Sequence, residues 1–279
     1  MLNIALFISG RVTGYEIALV PFIKYLKNKY NVFLFFSINT MNLNIPNLKD
    51  DLVNTFGSNI GSIYFEDYKF PKIYFETHVN NNIDEFRYNC LSCFYNDNKN
   101  MELIENFEKK MNIEFDIICK IRSDIIFRSE VNFIVDNKND LVLRNQHMMD
   151  IRFWGHIYRD TPLMISDAFA YGNKKTMKYY CSTYNWILQN DKLLKGNYIQ
   201  TFEIYLTDNI LQHVFYNIPG GGSVPILTRE EIIDKYKNNP NHIEIIYLQN
   251  INYELLHNNI RQKNNFIVDK TNVLHYTNM

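Results

Sequence analysis

The apolar residues of this chain fall into short unbroken runs, separated by stretches of helical period. Asn3-Ile4-Ala5-Leu6-Phe7-Ile8-Ser9 is the first run, closed by Gly10. A run of that length without alternation predicts a strand buried on both faces. Thr13 and Glu16 stand at capping-box spacing, so a helix is expected from there through Ile23 and Leu26 toward Tyr30. Pro21 predicts a kink in it, or a restart. Val32-Phe33-Leu34-Phe35-Phe36-Ser37 predicts a second buried strand. Strand, helix and strand within about 35 residues form a βαβ unit, which implies parallel pairing.

The same alternation of runs continues. Ile63-Tyr64-Phe65 predicts a short strand, and residues 83–112 one or two helices, with Leu103, Ile104, Phe107 and Met111 at a 3.6-residue period. Phe115 to Ile121 is the clearest later strand. Asp140 to Leu143 and Leu163-Met164-Ile165 predict others, and Ile243 to Leu248 a late one. Thr176 to Leu188 and Glu203 to Tyr216 predict helices, and Asn217 to Ser223 a loop. With no repeat and no linker-like break, the expectation is one α/β domain over residues 1–279. Its central sheet should be mostly parallel, of Rossmann type and flanked by helices.

Composition narrows the partners. The 279 residues carry 29 Lys+Arg against 30 Asp+Glu, a net charge of −1. That balance argues against nucleic acid and against a strongly anionic membrane surface. No run of about 18 apolar residues exists to span a bilayer, and the opening residues lack a basic region followed by a signal-length apolar one. A cytoplasmic setting is the expectation. Cys90-Leu91-Ser92-Cys93 is a CxxC, but no second pair stands at zinc-ligand spacing, and a predicted helix contains it. Free thiols in a reducing compartment are therefore expected. About one residue in seven is Asn, far above ordinary usage; codon bias accounts for this as well as any function.

Candidate chemistry concentrates in Asp116-Ile117-Ile118-Cys119-Lys120-Ile121-Arg122-Ser123-Asp124-Ile125-Ile126-Phe127. A buried strand here delivers Arg122 and Asp124 to its C-terminal end, where open α/β sheets bind ligands. Alternation puts both on one face if the strand persists. A carboxylate together with substrate phosphates can hold Mg²⁺ or Mn²⁺. A guanidinium can fork onto a phosphate or fix the carboxylate. The competing reading is a plain Arg–Asp surface pair. The GxGxxG, GxxxxGK[ST] and GxSxG patterns are all missing, which removes the usual dinucleotide, P-loop and serine-hydrolase readings. Gly220-Gly221-Gly222, set between Pro219 and Pro225, reads as a surface loop rather than a phosphate cradle.

The segment FDIICKIRSDIIF, after a helix ending in NFEKKMNIE, resembles the Tyr/Phe-Asp-x-x-x-x-x-Arg-Ser/Thr-Asp-x-x-Phe block of GT-A-type glycosyltransferases. The likeness is nearest to WavE-like lipopolysaccharide-synthesis proteins and related sugar transferases of large DNA viruses. The opening IALFISGRVTGYE resembles their first strand and its Ser-Gly-Arg turn. LMISDAFAYGNKKTMKYY resembles their Ser/Gly-Asp-x-Phe-x-x-Gly block, and QTFEIYLTDNIL a Pro-Glu-x-x-Leu helix start. The resemblance implies a GT-A-like fold, with residues 1–130 as a nucleotide-binding half and 131–279 as an acceptor-binding half, and a nucleotide-sugar-dependent transferase, inverting and metal-assisted. Ser9, Gly10 and Arg11 would cradle the nucleotide. Arg122-Ser123-Asp124 stands where the family has its Asp-x-Asp metal motif, with Arg in place of the first Asp. Asp124 would then touch Mn²⁺ or Mg²⁺, Arg122 would meet phosphate or sugar, and a late histidine, His275, would be a further metal ligand. None of the other histidines shows HxH or HExxH spacing.

Transfer to a glycan or glycoconjugate acceptor needs a base for the acceptor hydroxyl. Asp167 is the first candidate, placed after the apolar Leu163-Met164-Ile165 run; a turn or N-cap carboxylate is the competing reading. Glu203 is the second, against a first-turn Glu favoured by the helix dipole. Two other classes remain open. One is a non-catalytic nucleotide- or glycan-binding protein of the same fold, which the altered triplet favours. The other is an α/β methyltransferase, which the first loop matches poorly.

Overall fold

In the computed structural model, which describes residues 1–10, 12–39, 47–66, 81–146, 165–189, 243–248 and 253–255, the first apolar run forms β1 (Asn3–Ser9). It is buried on both faces. Ile4, Leu6 and Ile8 enter one apolar cluster, while Ala5 and Phe7 enter another on the opposite side. Helix α1 (Tyr15–Lys27) follows. The expected capping box does not form: Gly14 is the N-cap, at φ 77°, and no side chain caps the helix. Gly10 and Gly14 both hold left-handed backbone, and this tight path out of β1 suits glycine because it carries no Cβ. Pro21 lies inside α1 without ending it. The helix stops at Lys27, short of Tyr30, and the N–H groups of Asn28, Lys29 and Tyr30 bond back to the carbonyls of Tyr25 and Leu26.

β2 (Asn31–Asn39) lies parallel to β1 in register from Asn3↔Asn31 to Ser9↔Ser37. Then come α2 (Leu48–Phe56), β3 (Ile60–Glu66), parallel to β2, and α3 (Asn81–Met111), a single 31-residue helix. β4 (Ile117–Ile121) pairs with β1 in parallel, on the side away from β2. The remaining elements are β5 (Ile125–Phe127), β6 (Val142–Gln146), β7 (Phe169–Gly172), α4 (Lys174–Cys181), α5 (Thr183–Gln189), β8 (Glu244–Leu248) and β9 (Tyr253–Leu255). The helix expected from Thr176 to Leu188 is thus two helices, interrupted at Ser182.

Among the described residues the main sheet has the order β3-β2-β1-β4-β7-β6-β8. β7 is antiparallel to both its neighbours, and the other pairings are parallel. β5 and β9 form a second, antiparallel pair. Side chains from α1 and α2 build the core on one face of the main sheet; those from α3, α4 and α5 build it on the other. This is an α/β fold with a mixed sheet between helices. One strand is displaced from its expected place. Ile165 is not in a strand; the strand starts at Phe169, beyond Asp167, and runs opposite to β4. The helix expected from Glu203 and the loop from Asn217 lie outside the described residues. No described helix is long and apolar enough to cross a membrane.

Candidate functional site

Strand order reverses at β1, with β2 and β3 to one side and β4 to the other. Such a reversal opens a crevice beyond the carboxyl ends of the central strands. β1 ends there at Ser9 and Gly10, and β4 runs out there into Arg122-Ser123-Asp124. Two bonds tie these ends to their neighbours. The Ser123 hydroxyl donates to the Thr13 carbonyl at 3.2 Å, joining the turn after β4 to the glycine turn after β1. The Gly10 N–H donates to the Ser37 carbonyl at 3.0 Å, at the end of β2. Asp167 arrives from the β7 side, where the Arg122 N–H donates to the Ala168 carbonyl at 3.0 Å. Ser9, Gly10, Arg122, Ser123, Asp124 and Asp167 are therefore gathered at one end of the sheet. Arg11, Glu203 and His275 lie outside the described residues.

Arg122 and Asp124 do not form a plain surface pair. β4 stops at Ile121, and a turn at Ser123 and Asp124 folds the carboxylate back onto the guanidinium. Arg122 Nε donates to Asp124 Oδ1 at 2.9 Å and Nη2 donates to Oδ2 at 3.0 Å, a two-pronged charge-assisted pair. Arg122 Nη1 lies 3.8 Å from Asp167 Oδ2. The side chain of Arg122 is 30% exposed, that of Asp167 13% and that of Asp124 6%. A solvent-borne ligand thus meets the guanidinium first. Burial works against its charge, but Asp167 and Asp124 outweigh that and hold it above the ordinary arginine value.

A second polar layer lies beneath, on the α3 face of the sheet. Along β1 and β2 the apolar row of Phe7 and Phe35 gives way two residues later to Ser9 and Ser37, and on β4 Ile118 gives way to Lys120. Period-2 alternation puts each pair on one face. The partners come from α3. The Ser37 hydroxyl donates to Asn96 Oδ1 at 2.7 Å. Asn100 Nδ2 donates to the Ile8 carbonyl at 2.9 Å and to Ser9 Oγ at 3.0 Å. Lys120 Nζ donates to both oxygens of Asp97, at 2.6 and 2.5 Å, and Ser9 also bonds to Asp97. Lys120 and Asp97 are only 2% and 1% exposed. Desolvation opposes the Lys120 charge, yet Asp97 holds its pKa above the usual lysine value. Sequence reasoning missed this layer. Two signals pointed to it: a lysine inside the apolar run FDIICKI, and the polar stretch Asn96 to Asn100 in mid-helix.

Cys93 joins the same layer, accepting from Lys120 Nζ at 3.4 Å. Burial pushes its thiol up to about 12, against the opposing pull of Lys120. Thiolate is the reactive form, so low reactivity is the expected behaviour of Cys93 at neutral pH. Maleimide labelling of the native protein, mapped by mass spectrometry, should leave Cys93 unmodified until urea unfolds the chain. Rapid native labelling would contradict this assignment. Cys119 and Cys181 are buried and unpaired, as the cysteine spacing predicts.

The segment that presents Asp167 is clamped on both sides. Asn145 of β6 donates to the carbonyls of Ser166 and Phe169 at 3.0 and 3.3 Å, and accepts from the Ser166 N–H at 2.8 Å. The Tyr180 hydroxyl of α4 donates to the Ser166 carbonyl at 3.2 Å. The Ala168 N–H donates to Ser166 Oγ at 3.1 Å. Asp167 therefore projects from a backbone fixed by buried polar groups rather than from a loose turn. Compared by sequence, the chain matches no family model and no curated protein.

Proposed function

We propose that this protein transfers a sugar from a nucleotide diphosphate donor to a glycan or glycoconjugate hydroxyl. The observation that carries the reading is convergence. The glycine turn after β1, the Arg122-Ser123-Asp124 turn after β4 and the clamped Asp167 meet at the switch point of one α/β sheet. The three sequence blocks that resemble GT-A transferases contribute to this end of the fold. The chemistry of transfer needs such parts. When the bond between the anomeric carbon and the diphosphate oxygen breaks, negative charge grows on the departing diphosphate, and a fixed cation there lowers the barrier. Arg122 offers the guanidinium, and its fork geometry suits phosphate oxygens. The attacking acceptor hydroxyl forms the new bond to the anomeric carbon and gives up its proton to a carboxylate. Asp167 takes that role: it is partly exposed, and the Arg122 guanidinium lies 3.8 Å from it. Ser9 and Gly10 border the nucleotide.

A panel of nucleotide sugars tests this directly. The matching donor should raise the unfolding midpoint, because a ligand that binds only the native state stabilises it. The same donor should then be consumed when glycan acceptors are supplied. If no nucleotide sugar shifts the midpoint, the reading fails. If a donor binds and is never consumed, with acceptors or with water, the chain is a binding protein of the same architecture.

A further inference from the structure

We infer that Arg122 is the resident cation of this site and takes the place a divalent metal ion would have. The inference rests on the donor reading above for the identity of the ligand, but not for the geometry. Among the described residues, a metal at this end of the sheet would draw on Asp124 and Asp167. Both oxygens of Asp124 already accept from Arg122, at 2.9 and 3.0 Å, and that carboxylate is nearly sealed from solvent. Asp167 faces another edge of the same guanidinium. A divalent ion shared by the two carboxylates would have to break a two-pronged charge-assisted pair, and would then sit against a like charge that is held in place. Among the described residues the donor set does not fit such an ion.

Charge balance points the same way. Below the site, Lys120 offsets Asp97. At the site, Arg122 offsets Asp124, which leaves the Asp167 charge for the acceptor proton. The guanidinium has five N–H donors and spends two on Asp124. The rest serve Asp167 and whatever anion enters from the exposed side. The anion that fits is a diphosphate, whose paired oxygens match a planar fork.

The test uses the full chain, with EDTA or with Mn²⁺, and two probes: Mn²⁺ alone, and UDP or GDP. The wild type should show no Mn²⁺-dependent rise in unfolding midpoint, and its diphosphate affinity should agree within about twofold between EDTA and Mn²⁺. Arg122→Ala should lose about tenfold or more in diphosphate affinity in EDTA. It should also gain stabilisation by Mn²⁺ that the wild type lacks, because Asp124 and Asp167 are then released to a metal. Arg122→Met, which keeps the apolar stem, serves if the alanine variant does not fold. Three results would overturn the inference: Mn²⁺ stabilising the wild type, diphosphate binding by the wild type only with Mn²⁺, or no gain of Mn²⁺ stabilisation in either variant. If neither nucleotide binds but the variants alone gain the metal, the resident cation stands and the donor reading falls.

Discussion

Asp97→Asn is expected to destabilise the protein by about 3–5 kcal/mol, the cost typical of breaking a buried ion pair from one side. The reason is the neighbour left behind. Lys120 is 2% exposed, and Asp97 supplies both oxygens that hold its ammonium group. With a neutral amide in that place, the charge sits beside Cys93 and the ring of Tyr180, the latter 5.9 Å away. Burial then pulls the lysine pKa below its ordinary value, where Asp97 now holds it above. The sign of the pH dependence follows. In the wild type the lysine's part of the pair is complete below its ordinary value of 10.5 and fades as pH climbs past it, while burial raises the Asp97 carboxyl above the usual carboxylate value, so the pair is lost at the acid end when Asp97 takes up a proton. In the variant the unfolded chain binds more protons than the folded one through the alkaline range, so stability rises with pH there. Urea unfolding of both proteins across neutral and alkaline pH reads this out. Replacing the pair together, Asp97→Leu with Lys120→Met, should recover most of the loss. A single variant as stable as the wild type, with an unchanged pH profile, would show that the pair does not hold this layer.

Asp167→Asn is expected to lower the transfer rate by about 10²–10⁴-fold, the range for losing a positioned general base. Stability should change by less than about 1 kcal/mol, because the side chain is partly exposed and its contact with Arg122 is a loose one. The Arg122 fork onto Asp124 does not depend on it. Donor affinity should therefore survive while turnover falls, a split that a merely structural role would not produce. Steady-state kinetics with the donor found in the panel, alongside donor titration, measures both. Wild-type turnover in this variant would remove Asp167 from the mechanism.

The parts of the fold that were legible in the sequence are those where burial on both faces leaves one reading for an apolar run. β1, β2 and β4 all announce themselves this way. β7 did not, because Phe169-Ala170-Tyr171-Gly172 is short and its small residues pair between β4 and β6. Leu163-Met164-Ile165, a more apolar triplet nearby, carries the stronger strand signal. α2 hid for a different reason. Leu48, Leu52 and Phe56 are its buried face, but Lys49, Asp50 and Asp51 stand between them and dilute the signal. At the site, Arg122 and Asp124 could be placed at a strand end from spacing alone. That they clasp each other depended on a turn at Ser123, which no periodicity reports. The Lys120–Asp97 pair joins residues 23 positions apart on a strand and a helix, so only tertiary packing could reveal it.

β5 follows directly on Arg122-Ser123-Asp124, and its partner β9 lies far along the chain, with Ile125 opposite Leu255. β8 likewise joins β6 across a long separation, with Val142 opposite Glu244. Closing such distant pairings is slow, since the entropy of a long loop is lost before any contact repays it. During synthesis, the ribosome releases β1 to β4 long before it releases the strand that anchors β5. The crevice end of the nascent protein accordingly carries a bare hydrogen-bonding edge until residue 255 emerges, and this edge is the natural target for a chaperone or for mispairing with a second chain.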